Sequence, residues 1–181
     1  MPNDFDFCFE QVIGHEGGYT TRKSDHGNWT GGKVGKGLLK GTKYGISAAS
    51  YPTLDIKNLN IQKARSIYYK DYWTASGASL CDPGCSLVVF DAAVNAGNAR
   101  ARKWLQMAVG ATPDGVLGPI TRQALLKKML NDDEGFLMEF QAQRTFHHMK
   151  IKHMVDEYGL GWSRRLCDVL MVATKRLQGK K

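Results

Sequence analysis

The amino-acid sequence predicts a mainly α-helical protein with one small β-hairpin, and three observations carry that reading. Apolar residues recur at i, i+3/4 and i+7/8 through most of the chain, the spacing of helices with one core-facing side. A single stretch, Tyr19 to Ser47, breaks the pattern and is rich in Gly, Thr and Ser. Strand-like alternation appears nowhere else, so an extended sheet is excluded.

The elements follow in order. Asn3 or Asp4 caps a first helix whose Phe5, Cys8, Phe9, Val12 and Ile13 share one apolar face. Gly17-Gly18 stops it, because glycine readily takes the left-handed conformation that ends a helix. Glu16 therefore falls in the last turn, near the negative end of the helix dipole. There its anion is disfavoured and its pKa should rise, as a general acid working near neutral pH requires. Within Tyr19 to Ser47 the strand-like piece is Lys43-Tyr44-Gly45-Ile46, and Gly27 to Gly41 reads as a mobile hairpin or loop. That loop carries Lys33, Lys36 and Lys40 but lacks the Gly-x-x-x-x-Gly-Lys-Ser/Thr spacing of a phosphate cradle.

Asn60 caps a helix through Ile61, Ala64, Ile67, Tyr68 and Tyr72. Pro83-Gly84 opens another whose Leu87 to Phe90 and Ala92 to Val94 are apolar nearly all round, a helix buried on most sides. Asp91 and Asn95 interrupt it at i, i+4, and the simpler role for them is a structural pair, since buried polar groups need partners. Helix runs into helix near Val94 to Ala99 with no linker. Trp104-Leu105-Gln106, Val109-Gly110 and Asp114 to Thr121 form a helix, a tight turn and a new helix starting near Pro119. From Asp132 two helices are expected, broken near Tyr158 to Gly161. Phe136, Leu137, Phe140, Phe146 and Met149 form the stripe of the first. Leu166, Leu170, Ala173 and Leu177 form that of the second, with Cys167, Val169 and Met171 beside it.

Composition narrows the function classes. With 181 residues and 43% hydrophobic content the chain can bury one sizeable core, and 23% charge argues against disorder. No run approaches the roughly 18 apolar residues of a membrane span. Met1 to Asp4 is acidic where a signal peptide is basic, so a cytosolic product is expected. Cys8 and Cys167 fall on apolar faces as buried hydrophobes, and Cys81 and Cys85 lack zinc-site spacing. His147, His148 and His153 do not share one face at i, i+4, so no metal or other cofactor is expected. A net charge of +8 suits an anionic partner, yet no nucleic-acid motif accompanies it. Part of that excess lies in Arg164, Arg165, Lys175, Arg176, Lys180 and Lys181. A basic amphipathic C-terminal helix of this kind can meet an anionic envelope surface, although a core-packing helix with a solvated basic face is the simpler reading.

Several motifs stand in one order: Glu16-Gly17-Gly18-Tyr19, Asp25, Thr42-Lys43-Tyr44-Gly45-Ile46-Ser47, Tyr69-Lys70-Asp71-Tyr72-Trp73, Phe90 to Gly97, and Gly161-Trp162-Ser163-Arg164-Arg165. In that order they resemble glycoside hydrolase family 108, lysozyme-like N-acetylmuramidases of which many are phage endolysins. The resemblance spans nearly the whole chain and departs from the family at Gly27 to Gly41, an insertion where a short Asp-Pro-Gly-Gly turn is usual. It implies a lysozyme-like helical fold with the hairpin as a flap beside an active-site cleft. Residues 1–95 would be the catalytic region. Residues 96–181 would be a helical region similar to peptidoglycan-binding modules, packed with the first as one continuous unit.

The resemblance implies cleavage of the β-1,4 bond between N-acetylmuramic acid and N-acetylglucosamine in bacterial peptidoglycan. Glu16 would protonate the glycosidic oxygen, Asp25 would activate water or stabilise the oxocarbenium charge, and Thr42 would position the water or Asp25. Tyr19, Tyr44 and Trp73 are candidates for stacking on sugars, as is Trp29 outside the motifs, and Asn95 is a further substrate-binding candidate. The expected protein is a monomer kept in the host cytoplasm until a partner holin releases it to the wall. Two rival functions remain: a lytic transglycosylase giving 1,6-anhydro products, against which Asp25 argues mildly, and a non-catalytic peptidoglycan-binding protein.

Overall fold

The computed structural model describes residues 4–13 and 18–179. They form seven α-helices and one two-stranded antiparallel hairpin, the mainly helical fold that the periodicity predicts. The chain divides into two compact units, residues 9–69 and residues 1–8 with 70–181. Helix α1 (Asp4–Val12) runs across the division. Its predicted face holds: Phe5, Cys8, Phe9, Val12 and Ile13 are all buried. Among the described residues no helix is long and apolar enough to cross a membrane.

In the smaller unit, β1 (Thr42–Lys43) and β2 (Ile46–Ser47) pair with Thr42 opposite Ser47 and Lys43 opposite Ile46. The strand-like piece Lys43 to Ile46 is thus not one strand; its middle is a two-residue turn. Tyr44 and Gly45 have φ of 51° and 72°, both left-handed, which is what a type I′ hairpin turn requires. A tyrosine pays a steric cost there, and the Tyr68 hydroxyl, donating to the Tyr44 carbonyl at 2.9 Å, helps to hold it. The insertion Gly27 to Gly41 folds as a second, irregular hairpin: Trp29 bridges Leu39, Thr30 N–H donates to Leu38 O, and Gly31 N–H donates to Lys36 O. Helix α2 (Ile61–Tyr68) is capped by the Asn60 side chain, which accepts from Lys63 N–H at 2.8 Å.

After α2 the chain takes a π-helical turn, Tyr69–Thr74, in place of a continued α-helix through Tyr72. Helix α3 (Cys85–Ala96) is the axis of the larger unit, buried from Cys85 to Ala93. Gly84 precedes it with φ of 92°, and a Cβ there would press on the Ala173 carbonyl. Gly97, also left-handed, separates α3 from α4 (Asn98–Ala108), so the change of direction needs no linker. Helices α5 (Pro119–Asn131), α6 (Asp133–Lys150) and α7 (Lys152–Gln178) complete the unit. The Asp132 side chain caps α6 through Gly135 N–H.

The last two helices correct the sequence reading in three places. The break comes at Ile151, and α7 runs straight through Gly159 and Gly161. Glycine inside a helix costs roughly 1 kcal/mol but ends it only where the backbone turns left-handed, and neither residue does so. The α6 stripe is buried at Phe136, Leu137 and Phe140, whereas Phe146 and Met149 are exposed. Its inner face continues instead through Gln141 and Arg144, both buried. On α7 the stripe Leu166, Ala173 and Leu177 is buried, but Met171 and Cys167 face outward. Cys8, by contrast, is buried as expected, and burial pushes its thiol pKa up to about 12.

Candidate active site

The segment that carries Asp25 and Thr42 is organised by a residue the sequence reading overlooked, Asn28. Its side chain is wholly buried in a polar loop. Its amide donates to the Arg22 carbonyl at 3.0 Å, and its Oδ1 accepts the Thr42 hydroxyl at 2.7 Å. Its own carbonyl accepts from both Lys40 and Gly41 N–H, and its N–H donates to the Asp25 carbonyl at 3.2 Å. One asparagine therefore joins the Arg22 to Asp25 turn to the segment entering β1. A buried amide with every group paired holds its neighbours firmly, because breaking any one bond strands a polar group. Nothing in the sequence separates Asn28 from the other polar loop residues; its partners come together only in the fold.

Asp25 is exposed and caps the short 3-10 helix His26–Asn28, its Oδ1 accepting from Gly27 N–H at 2.8 Å. The other carboxylate oxygen has no hydrogen-bond partner among the described residues. The Thr42 hydroxyl gives its hydrogen to Asn28, which leaves its oxygen lone pairs as acceptors. Thr42 also pairs with Thr20 through two backbone bonds of 2.9 Å. Gly41 permits that approach: its φ is 83°, and a Cβ would collide with the Thr20 carbonyl. Glu16 lies outside the described residues.

Tyr19, 39% exposed, lines a cavity of about 270 Å³ together with Lys40, Thr53, Asp55 and Lys57. Hydrogen bonds from Asn58 hold the Asp55 carboxyl below its ordinary pKa, so it is an anion at neutral pH. An aromatic face beside charged and hydroxyl groups suits a sugar ring. Asp55 and Lys57 were not legible as site residues, since the cavity draws on three separate stretches of chain.

The other candidates divide. Tyr44 is half-buried in its turn, and the Lys43 ammonium lies 5.5 Å from its ring centre. Trp73 is a core residue and not a sugar platform: it is 5% exposed and packs edge-to-face on Phe5 and Phe90 at 5.6 and 5.8 Å. Asn95 donates to the Asp91 carbonyl and carboxylate at 2.8 and 3.2 Å, the structural pair its spacing suggested. Asp91, wholly buried, also accepts from Arg144 and Arg165. Among the described residues no group of three or more His, Cys, Asp or Glu gathers as a metal site.

A mainly helical fold with one small antiparallel hairpin is consistent with the lysozyme-like class of folds. Residues 9–97 match the family model of glycosyl hydrolase 108. These residues thus carry a glycosyl hydrolase 108 domain, of a family associated with lysozyme-like muramidases and endolysins; the domain supports hydrolase activity and is consistent with action on peptidoglycan. Among solved structures the chain is similar to Brucella abortus SagA, with 27% identity over 95% of this chain and 94% of that one, at a TM-score of 0.75. No curated protein matches it.

Proposed function

We propose that Glu16 and Asp25 cleave the β-1,4 bond after N-acetylmuramic acid, with Thr42 orienting the attacking water. Glu16 gives its proton to the glycosidic oxygen as the bond to the anomeric carbon breaks. Water attacks that carbon from the opposite face and loses its proton to Asp25. The observation that supports this assignment is the Asn28 bridge, which ties the Asp25 turn to Thr42 and leaves one Asp25 oxygen open. Tyr19, with Lys40 and Asp55, supplies a sugar-binding surface in this reading. The enzyme works as a monomer, is held in the host cytoplasm until a holin opens the way to the wall, and uses its basic C-terminal residues to approach the anionic envelope.

Glu16→Gln keeps shape but cannot donate a proton, so turnover should fall by at least the roughly 10²–10⁴-fold that general acid catalysis contributes. Asp25→Asn should be comparably severe, and Thr42→Ala milder. Muropeptide mass spectrometry should show reducing ends; 1,6-anhydro products would establish the transglycosylase instead. Lysis by Glu16→Gln at the parent rate would remove the assignment.

A further inference from the structure

A second cavity, between α3, α4, α6 and α7, takes no part in the proposed glycan cleavage and has an unbalanced charge. Arg144 and Arg165 both bond to the Asp91 carboxylate at 2.7 Å, so two guanidiniums share one anion. Arg100 adds a third cation, bonded to the Ala96 carbonyl, with no acid in ion-pair distance among the described residues. No carboxylate lines the cavity. His147 and His148 also face it; burial first, then Arg100 for one and Arg144 for the other, lowers their pKa values. Both are therefore neutral at pH 7 and offer hydrogen bonds in place of further charge. Arg144 Nε and His148 Nδ1 are buried with no hydrogen-bond partner.

The rest of the wall is apolar. The Trp162 ring lies 4.7 Å from that of His148, and Ile151, Met154 and Leu166 complete the side. The volume is about 200 Å³, less than the roughly 300–1,000 Å³ of pockets that enclose drug-sized ligands. Arginine is suited to carboxylates by its planar fork of donors, and surplus positive charge in a partly buried site favours an entering anion. A short group with an anionic head and a small aliphatic body fits these walls.

We propose that this cavity is an oxyanion site for the free carboxylate of a short peptide, the stem peptide borne by peptidoglycan, and anchors substrate away from the cleaved bond. The choice of stem peptide as the source rests on the peptidoglycan reading above. Muramyl tripeptide tests it without turnover, because a single sugar has no glycosidic bond to cut. Calorimetric titration of the full-length protein should show binding that weakens at least about tenfold when the peptide carboxyls are amidated, and likewise in Arg100→Glu. Arg100 is exposed, so this variant keeps the fold even if Arg144→Met does not. Chitotriose binding should be indifferent to Arg100→Glu, which separates this cavity from the glycan surface. Equal affinity for acid and amide would overturn the proposal. So would inorganic phosphate binding as tightly as the tripeptide, since any small anion would then suffice. Intact tripeptide binding with an active Glu16→Gln would sink the catalytic assignment alone.

Discussion

Asp91→Asn should be among the most destabilising substitutions in the larger unit. The parent carboxylate is wholly buried and accepts from Arg144 Nη2 at 2.7 Å and from Arg165 Nη2 and Nε at 2.7 and 2.9 Å. The amide keeps the shape but removes the only negative charge paired with the two guanidiniums among the described residues. Arg165, 38% exposed, can turn toward water, whereas Arg144, 2% exposed, cannot. Breaking a buried pair from one side costs about 3–5 kcal/mol. In a chain of this size each kcal/mol lowers Tm by about 2–4 °C, so a fall of about 6–20 °C is expected. Arg144→Met should cost less, because Asp91 retains Arg165, and Arg165→Met least of all. Urea unfolding followed by tryptophan fluorescence reads this well, since Trp73, Trp104 and Trp162 all belong to the same unit. An Asp91→Asn protein within about 1 kcal/mol of the parent would refute the reasoning, because it would mean the buried charges are not coupled.

Gln106→Ala should cost about 2–4 kcal/mol at about 1 kcal/mol per bond, since this buried side chain holds the turn through Asp114, Gly115, Val116 and Thr121; thermal unfolding measures it. Asp55, Asp114 and Asp132 have carboxyl pKa values lowered by hydrogen bonds, from Asn58, from Gln106 and from Lys128 respectively. Their contribution is present above the ordinary value of 3.8 and is lost as pH falls through the lowered folded values. His147 and His148 are lowered from 6.5. Stability should therefore also decline as pH falls below 6.5, where the unfolded imidazoles take up protons first; a Tm that is level from pH 7 to 5 would contradict this. Envelope lysis should weaken with salt as the Debye length falls from about 10 Å at 0.1 M to about 3 Å at 1 M. Lys175→Gln and Arg164→Gln, both at exposed positions, should reduce lysis of whole envelopes more than cleavage of soluble glycan. Arg176→Gln should instead lower Tm, because Arg176 pairs with Asp4 at 3.6 Å and covers the Phe7 ring.

Local chemistry was enough to read the helices whose signals are carried by neighbouring residues. The apolar face of α1, the Asn60 cap, the buried α3 and the start of α5 at Pro119 each follow from spacing and capping within one turn or two. The motif order also pointed to the family whose model spans residues 9–97. What the sequence could not settle depends on contacts between distant positions. Lys43 to Ile46 resembles a strand until pairing with Ser47 and support from Tyr68 bend it at Tyr44. Trp73 carries the same ring whether it meets sugar or Phe90, and only packing makes it core. Gly159 and Gly161 look like a helix end, yet α7 continues through them, because the turn comes at Ile151 and the backbone at both glycines stays right-handed. Asn28 and Asp91 gain their roles from partners up to fourteen and seventy-four residues away. Periodicity and capping are short-range and can be read along a chain, whereas burial and ion pairing are long-range and exist only once the chain has folded.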